Sequence, residues 1–230
     1  GAARRLHSLY LDTTYLDARY DFPPQAAVLL AVRRTALKHA KEEGGRVLFL
    51  FGCYSIGKER VFMDVARALD ERVYVDKTRY RAMSCFEWPL AEMARLTTDA
   101  TQARIHAVSM FVMNAKRMAD VLKANKGRYS KIVAFKPTGW THSEAVDAAD
   151  ADGAAGVAMT MRTSGAGARI TVYGVPYSEH SSFSELRDCV RWLDPVKIIP
   201  TVNCRSAAQA RAMERMLRAD AAPGAGGGEG

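Results

Sequence analysis

Two residues suited to metal or phosphate chemistry follow apolar segments of the chain. Asp12 comes directly after the strand-like segment LYL, and His180 lies among small polar residues after the apolar strand RITVYGVP. In α/β proteins, functional sites gather beyond the carboxyl ends of strands, and a carboxylate and an imidazole are both zinc ligands. Asp12 also has a simpler interpretation, because an aspartate before Thr13 and Thr14 can cap a turn. From residue type and position alone, a metal site and a phosphate site both stay open.

The segment GCYSIGKE follows the apolar run RVLFLF and partly matches a phosphate-binding loop. Gly52 and Gly57 have the spacing of the Walker pattern and Lys58 follows, but Glu59 stands where that pattern requires Ser or Thr. The Glu59 carboxylate would place negative charge where a hydroxyl should bind Mg²⁺, so we exclude a nucleotide-hydrolysing P-loop. Gly57 at the start of a helix still predicts a site for a terminal phosphate on backbone N–H groups.

The remaining histidines have less distinctive surroundings than His180. His106 lies inside the apolar strand RIHAV, which is more typical of a packed core histidine than of a ligand. His142 in GWTHS is typical of a loop residue. The serines beside His180 have two interpretations, because they could line a site or cap the helix FSELRDCVRWL that follows.

Composition limits the class of protein. The 230 residues, 48% of them hydrophobic, suffice for one large domain or two small ones, and 33 basic against 25 acidic residues give a net charge of +8. This charge favours an anionic partner, with nucleic acid first. The four cysteines contain no Cys-x-x-Cys, so neither a zinc finger nor a disulfide framework is indicated. No apolar run reaches the ~20 residues of a membrane span, and the first residues are not typical of a signal peptide.

Strands alternate with helices along most of the chain. PQAAVLLAVRRTALKHAKE, GKERVFMDVARALD and SAAQARAMERMLRAD have helical periodicity, whereas RVLFLF, SKIVAFKPTG and VKIIP are typical of strands. This alternation predicts an α/β fold with a largely parallel or mixed sheet.

Five segments, in this order, closely resemble the DNA cross-link repair nucleases, which form the β-CASP branch of the metallo-β-lactamase fold. They are LYLDTTYLDARYDFP, GCYSIGKERVF, LTTDATQARIHAVSM, IVAFKPTGWTHS and VYGVPYSEHSSFSELRDCVRWLDPVKIIPTVN. The resemblance covers roughly residues 7–217. It implies a partial metallo-β-lactamase αββα sandwich with an inserted β-CASP α/β cap.

The resemblance also implies a division of the chain into segments. Residues 1–24 would end the first metallo-β-lactamase half, and residues 25–143 would form the β-CASP cap. Residues 144–167, rich in Ala and Gly, are predicted to be a flexible insertion. Residues 168–218 would return to the metallo-β-lactamase part, and residues 219–230 are predicted to be a disordered tail.

The resemblance implies four catalytic residues. Asp12 matches the metal-bridging aspartate of the family, and His180 matches its late metal-ligating histidine. Glu59 and His106 match the signature acid and histidine of the cap and would shape the site. The implied cofactor is zinc, as one or two ions that orient a water and stabilise the oxygens of a phosphodiester.

Candidate DNA contacts lie in the same segments. They are Ser55, Gly57, Lys58, Lys136, Thr138, Ser178, Ser181 and Ser182. Lys136 is the strongest of these because it follows a strand into the cleft expected between cap and sheet. The serine hydroxyls would meet phosphate oxygens, and they would also suit a helix N-terminus, which itself favours anions.

The implied function is that of a zinc-dependent 5′-to-3′ DNA exonuclease in interstrand cross-link repair. Its substrate would be the 5′ end and phosphate backbone of DNA in the nucleus, with further DNA-repair proteins as partners and no membrane. The family places a His-x-His-x-Asp-His motif upstream of LDTTY, whereas here His7 is the only upstream histidine. We therefore expect this chain alone to hold zinc weakly and to be inactive.

Two other functions stay open. The first is a catalytically incompetent DNA-binding or scaffolding fragment, which the missing histidines would explain. The second is an RNA-processing β-CASP nuclease, although LDTTY and PTGWTHS resemble the DNA group more closely.

Overall fold

The computed structural model describes residues 6–54, 56–138, 157–165 and 167–219. The chain divides into two compact units. The larger unit is Phe22–Glu179, and the smaller unit combines Gly1–Asp21 with His180–Gly230. The segment boundaries expected from the family resemblance stay a prediction.

The described residues form nine strands in two sheets. They are β1 (Ser8–Leu11), β2 (Val47–Cys53), β3 (Val73–Tyr74), β4 (Leu96–Thr97), β5 (Ile105–Ser109), β6 (Lys131–Pro137), β7 (Thr160–Ser164), β8 (Ile170–Val175) and β9 (Lys197–Pro200). The sheet of the larger unit has the order β4-β3-β5-β2-β6-β8-β7. Its neighbouring strands are parallel, apart from β7, which is antiparallel to β8. The predicted α/β fold with a largely parallel or mixed sheet is confirmed.

Helices connect these strands. They are α1 (Gln25–Glu42), α2 (Glu59–Leu69), α3 (Lys77–Met83), α4 (Leu90–Met93), α5 (Ala115–Ala124), α6 (Phe183–Leu193) and α7 (Ala207–Arg218). Among the described residues, no helix is long and apolar enough to cross a membrane.

The central strand β2 has helices on both of its faces. Its alternate side chains Phe49 and Phe51 join a core with α1 and α2. Leu48 and Leu50 point to the other face and join a core with α5. The run VLFLF is therefore apolar throughout because neither face of the strand meets water.

Strand β7 contradicts part of the predicted flexible insertion at residues 144–167. Thr160–Ser164 pairs with β8 at the edge of the sheet, and Val157 and Met159 are buried in the core just before it. The segment TMRTS is polar because edge strands face water and often bear charged residues. Its composition therefore did not predict a strand. Residues 139–156, which include His142, lie outside the described residues.

The smaller unit is built on the parallel pair of β1 and β9. Helices α6 and α7 pack with these strands around a separate apolar core. Its buried members are Leu16, Leu186, Val190, Ile198 and Leu217. The turn that holds Asp12 and the segment that begins with His180 belong to this unit.

Candidate functional site

The smaller unit brings Asp12 and His180 together. His180 Nδ1 lies 2.9 Å from Asp12 Oδ2, although the two residues are 168 positions apart in sequence. The other carboxylate oxygen, Oδ1, accepts hydrogen bonds from the backbone N–H of Thr14 at 2.8 Å and from its hydroxyl at 2.6 Å. The rings of His180 and Tyr15 lie at 75° to each other, with centroids 5.8 Å apart. Asp12 therefore caps its turn and faces the histidine at the same time.

The surroundings of Asp12 favour its anionic form. Partial burial acts to raise its pKa, but the hydrogen bonds from Thr14 and His180 outweigh burial and hold the pKa below the ordinary value. The side chains of His180 and Asp12 are 50% and 49% exposed, so an ion from solvent can reach both.

The pair supplies two donors that suit a divalent metal. Carboxylate oxygen and imidazole nitrogen both ligate zinc, which usually takes four ligands. Within the described ranges, no group of three or more His, Cys, Asp or Glu residues is placed to hold a metal ion. Asp12 and His180 would therefore supply part of a metal site.

The backbone amides just before α2 bind two carboxylates of the protein at the place where a phosphate was predicted. Gly57 and Lys58 have positive φ values of +98° and +70°. The N–H of Gly57 donates to Glu59 Oε1 at 2.8 Å, and the N–H of Lys58 donates to Glu179 Oε1 at 2.9 Å. These carboxylates occupy the amides at the positive end of the helix. The predicted phosphate site on Gly57 stays a prediction, and Ser55 lies outside the described residues.

The Lys58 side chain is also buried. It is 8% exposed, and its Nζ lies 5.7 Å from the centre of the Tyr177 ring. Burial lowers the pKa of Lys58 below its ordinary value. The ammonium group therefore packs on an aromatic ring inside the larger unit, and the phosphate contact by Lys58 stays a prediction.

Glu59 and His106 are both buried in the larger unit. Glu59 is 9% exposed and binds the loop at Gly57, while His106 is 7% exposed. His106 Nε2 lies 3.1 Å from the Ala103 carbonyl, and its ring packs against Tyr74. His106 also precedes the carboxyl end of β5 by three residues. Neither side chain is open to solvent, and the predicted role of both residues in shaping the site stays a prediction.

The three serines near His180 differ from one another. Ser182 is 2% exposed and is the N-cap of α6. Its hydroxyl accepts from the Glu185 N–H at 3.3 Å, and its own N–H donates to the Glu185 carboxylate at 2.8 Å. This capping box uses the hydroxyl that was expected to meet phosphate, and the phosphate contact by Ser182 stays a prediction. Ser178 is 7% exposed, and Ser181 is exposed.

Lys136 and Thr138 lie beside one cavity of the larger unit, with Lys136 exposed and Thr138 9% exposed. Tyr54 and Arg162 also line this cavity, and sequence reasoning missed both. Arg162 was missed because it lies within the predicted insertion at residues 144–167. Tyr54 was missed because nothing in the sequence distinguishes it from the other residues of the loop after β2. Charge and aromatic character were the available signals, but neither locates a cavity without the sheet register.

The α/β fold is that of a metallo-β-lactamase-type domain. The family model described as DNA repair metallo-beta-lactamase matches residues 91–206. The chain belongs to this family, which implies metal ions in the complete site.

Three proteins illustrate the similarity. The mouse (Mus musculus) DNA cross-link repair 1A protein is 38% identical over 217 residues, which cover 94% of this chain and 20% of that protein. The Arabidopsis thaliana DNA cross-link repair protein SNM1 is 38% identical over 215 residues, which cover 94% of this chain and 42% of that protein. The chicken (Gallus gallus) 5′ exonuclease Apollo is 28% identical over 205 residues, which cover 87% of this chain and 36% of that protein. The chain therefore spans less than half the length of each of these relatives.

Proposed function

We propose that this chain is part of a metal-dependent DNA nuclease of interstrand cross-link repair that acts in the nucleus from the 5′ end of DNA. The observation that supports this most is the pairing of Asp12 with His180 at 2.9 Å across 168 residues of sequence. The names of the relatives, which include cross-link repair proteins and a 5′ exonuclease, support DNA as the substrate. In this proposal residues 25–143 form the β-CASP cap and residues 168–218 return to the metallo-β-lactamase part.

In this proposal the chain's own residues bind and orient. Asp12, with its lowered pKa, is anionic at neutral pH. His180 Nδ1 and Asp12 Oδ2 lie 2.9 Å apart, so both could bind the same metal ion. Zinc, when bound, lowers the pKa of a water and stabilises phosphodiester oxygens. Lys136, Thr138 and Ser181 are the proposed contacts to the DNA backbone.

A second candidate function is a catalytically incompetent DNA-binding or scaffolding fragment. It is favoured by the count of ligands, because no group of three or more His, Cys, Asp or Glu residues in the described part of the chain is placed to hold a metal ion. Two ligands hold zinc more weakly than the usual four. The RNA-processing alternative has no such support, since the relatives are named for DNA repair.

Zinc affinity tests the metal role of the pair. The affinity of this chain is measured by competition with a chromophoric chelator for the wild type, His180→Ala, Asp12→Asn and the control His7→Ala. We expect His180→Ala and Asp12→Asn each to weaken zinc binding by about tenfold or more, while His7→Ala has no effect. Equal affinity in all four proteins would remove Asp12 and His180 from the metal site.

Hydrolysis separates the candidate functions. The chain is incubated with zinc and with single-stranded DNA or RNA that bears a 5′ phosphate or a 5′ hydroxyl. Release of nucleotides from the 5′ end of DNA, lost in His180→Ala, would support the nuclease. DNA binding without hydrolysis is the result that we expect for this chain alone and agrees with both DNA candidates, whereas hydrolysis of RNA alone would support the RNA alternative.

A further inference from the structure

A cavity of about 700 Å³ opens in the larger unit on the side of the sheet that α5 covers. It lies beside Ala115, the first residue of α5, at the carboxyl ends of the central strands. Lys136 near the end of β6 and its partner Gly174 near the end of β8 both line it. This is the edge of a parallel sheet at which ligands usually bind. Its volume falls in the range of small-molecule sites.

One side of the cavity is apolar and adaptable. Met110, Met113 and Met118 line it, and methionine side chains adjust to flat aromatic ligands. Gly52 in β2 makes room for two of them, because a Cβ at Gly52 would lie 2.6 Å from Met110 Sδ and 3.0 Å from Met113 Cγ. The missing side chain therefore lets the methionines lie directly on the strand.

Tyr54 adds an aromatic surface to this side. The residue is 59% exposed, which is high for a large aromatic side chain. Its backbone is fixed, because its carbonyl accepts a hydrogen bond of 2.5 Å from Nη2 of the buried Arg79. An exposed aromatic residue on a fixed backbone is a suitable platform for stacking.

The opposite side is polar and positively charged. Lys136 and Arg162 are exposed, and neither forms an ion pair with a residue of the described ranges. Hydroxyl groups of Thr138, Thr160 and Ser164 complete this side. The lining residues that the structure describes include no Asp or Glu. The cavity therefore matches an anion that also has a flat apolar part.

We propose that this cavity binds an unpaired nucleotide of single-stranded DNA. The base stacks on Tyr54 and packs against Met110 and Met113, and the adjoining phosphate lies between Lys136 and Arg162. Binding proteins for single strands combine these two elements, cations along the backbone and aromatic platforms for bases. A free phosphate would gain nothing from the methionines, and an apolar ligand would gain nothing from the cations. The inference rests on the proposed function in that DNA is the ligand.

Methionine methyl NMR tests the proposal directly. The chain is labelled with ¹³C in its methionine methyl groups and titrated with dTMP, hexathymidylate, thymidine or inorganic phosphate. The solution contains EDTA, so the outcome is independent of metal binding and hydrolysis. We expect dTMP and hexathymidylate to shift the Met110 and Met113 signals through the ring current of the base, while Met216 in α7 does not move. Unchanged Met110 and Met113 signals, or equal shifts with phosphate alone, would overturn the proposal.

Matched variants locate the binding surface. Hexathymidylate affinity is measured for Tyr54→Leu, Arg162→Gln and the control Arg34→Gln, which removes an equal charge from an exposed position on α1. We expect Tyr54→Leu to weaken binding by about tenfold, as for the loss of one stacked base. Arg162→Gln should weaken binding and Arg34→Gln should have little effect. Equal weakening by the two arginine variants would mean that general charge and not this cavity binds the strand. Retained affinity in Tyr54→Leu would exclude stacking.

Discussion

Cys53 ends the central strand β2, and its side chain is 2% exposed. Burial raises the pKa of its thiol to about 12. The thiolate is the reactive form, so Cys53 should resist thiol reagents in the folded protein. Cys85, which is exposed, should react first.

We expect labelling by a maleimide at pH 7.5, followed by peptide mass spectrometry, to modify Cys85 quickly and Cys53 only after unfolding. Labelling in guanidinium chloride is the control, since all four cysteines should then react. Equal rates for Cys53 and Cys85 in the folded protein would contradict the burial of the thiol.

His106 makes the stability of the larger unit depend on pH. Burial lowers its pKa below the ordinary value of 6.5, so the folded state prefers the neutral ring. The unfolded chain binds a proton more readily. This part of the stability is therefore fully present above about pH 6.5 and is lost as the pH falls toward the lowered pKa. The pKa of His39 is lowered by burial as well, so it adds to the effect.

We expect the free energy of unfolding, measured by urea denaturation, to fall between pH 7.5 and pH 5.5. His106→Gln should reduce this dependence on pH, because glutamine does not titrate, and His39 should leave a residual slope. The exposed His7 provides the control variant His7→Gln. An unchanged slope in His106→Gln would show that His106 is not held neutral by burial.

At the level of secondary structure, the capping box of α6 gives Ser182 a measurable role. Its hydroxyl satisfies an N–H of the first turn, and loss of such a cap costs about 1 kcal/mol. We expect Ser182→Ala to lower the free energy of unfolding by about that amount, while Ser181→Ala, at an exposed position, changes it little. We expect Ser182→Ala to bind DNA as tightly as the wild type does, because the hydroxyl is used in the cap. Weakened DNA binding by a stably folded Ser182→Ala variant would instead support a phosphate contact by Ser182.

The elements with strong apolar patterns could be predicted, and the polar ones could not. β2 and α2 were identified because burial imposes an apolar run on one and a periodic apolar face on the other. α3 was missed because KTRYRAM is short and polar, and its start depends on Asp76 accepting the Arg79 N–H. β4 has two residues and exists through its pairing with β3. Such elements depend on tertiary partners that a local pattern does not contain.

Part of the candidate site could likewise be predicted from the sequence, and part of it depends on the folded chain. Residue type and strand position were enough to single out Asp12 and His180, but only the folded chain shows their 2.9 Å contact. Lys58 and Ser182 are buried, and burial of one polar residue cannot be deduced from its neighbours in sequence. The cavity beside Lys136 is formed by several strands and a helix, so no single motif marks it.

For the whole molecule, the net charge of +8 favours DNA but does not say which cations bind it. Several basic side chains are already paired with acids of their own unit. Arg104 contacts Glu71 at 2.8 Å, and Lys131 contacts Glu43 at 3.3 Å. An exposed cation without such a partner is better placed to release counterions when DNA binds, and Lys136 is of this kind.

The two lysines of β6 therefore form a matched pair for measuring the DNA footprint. Lys136 is exposed beside the cavity, and Lys131 lies five residues earlier on the same strand in an ion pair. We expect Lys136→Gln to weaken single-stranded DNA binding and to reduce the slope of log affinity against log salt concentration by about 0.7. Lys131→Gln removes the same charge and should leave the slope unchanged, because its charge is balanced by Glu43. Fluorescence anisotropy between low and moderate salt measures both slopes. If both variants reduced the slope equally, the net charge of the molecule would govern binding, and Lys136 would not be a specific contact.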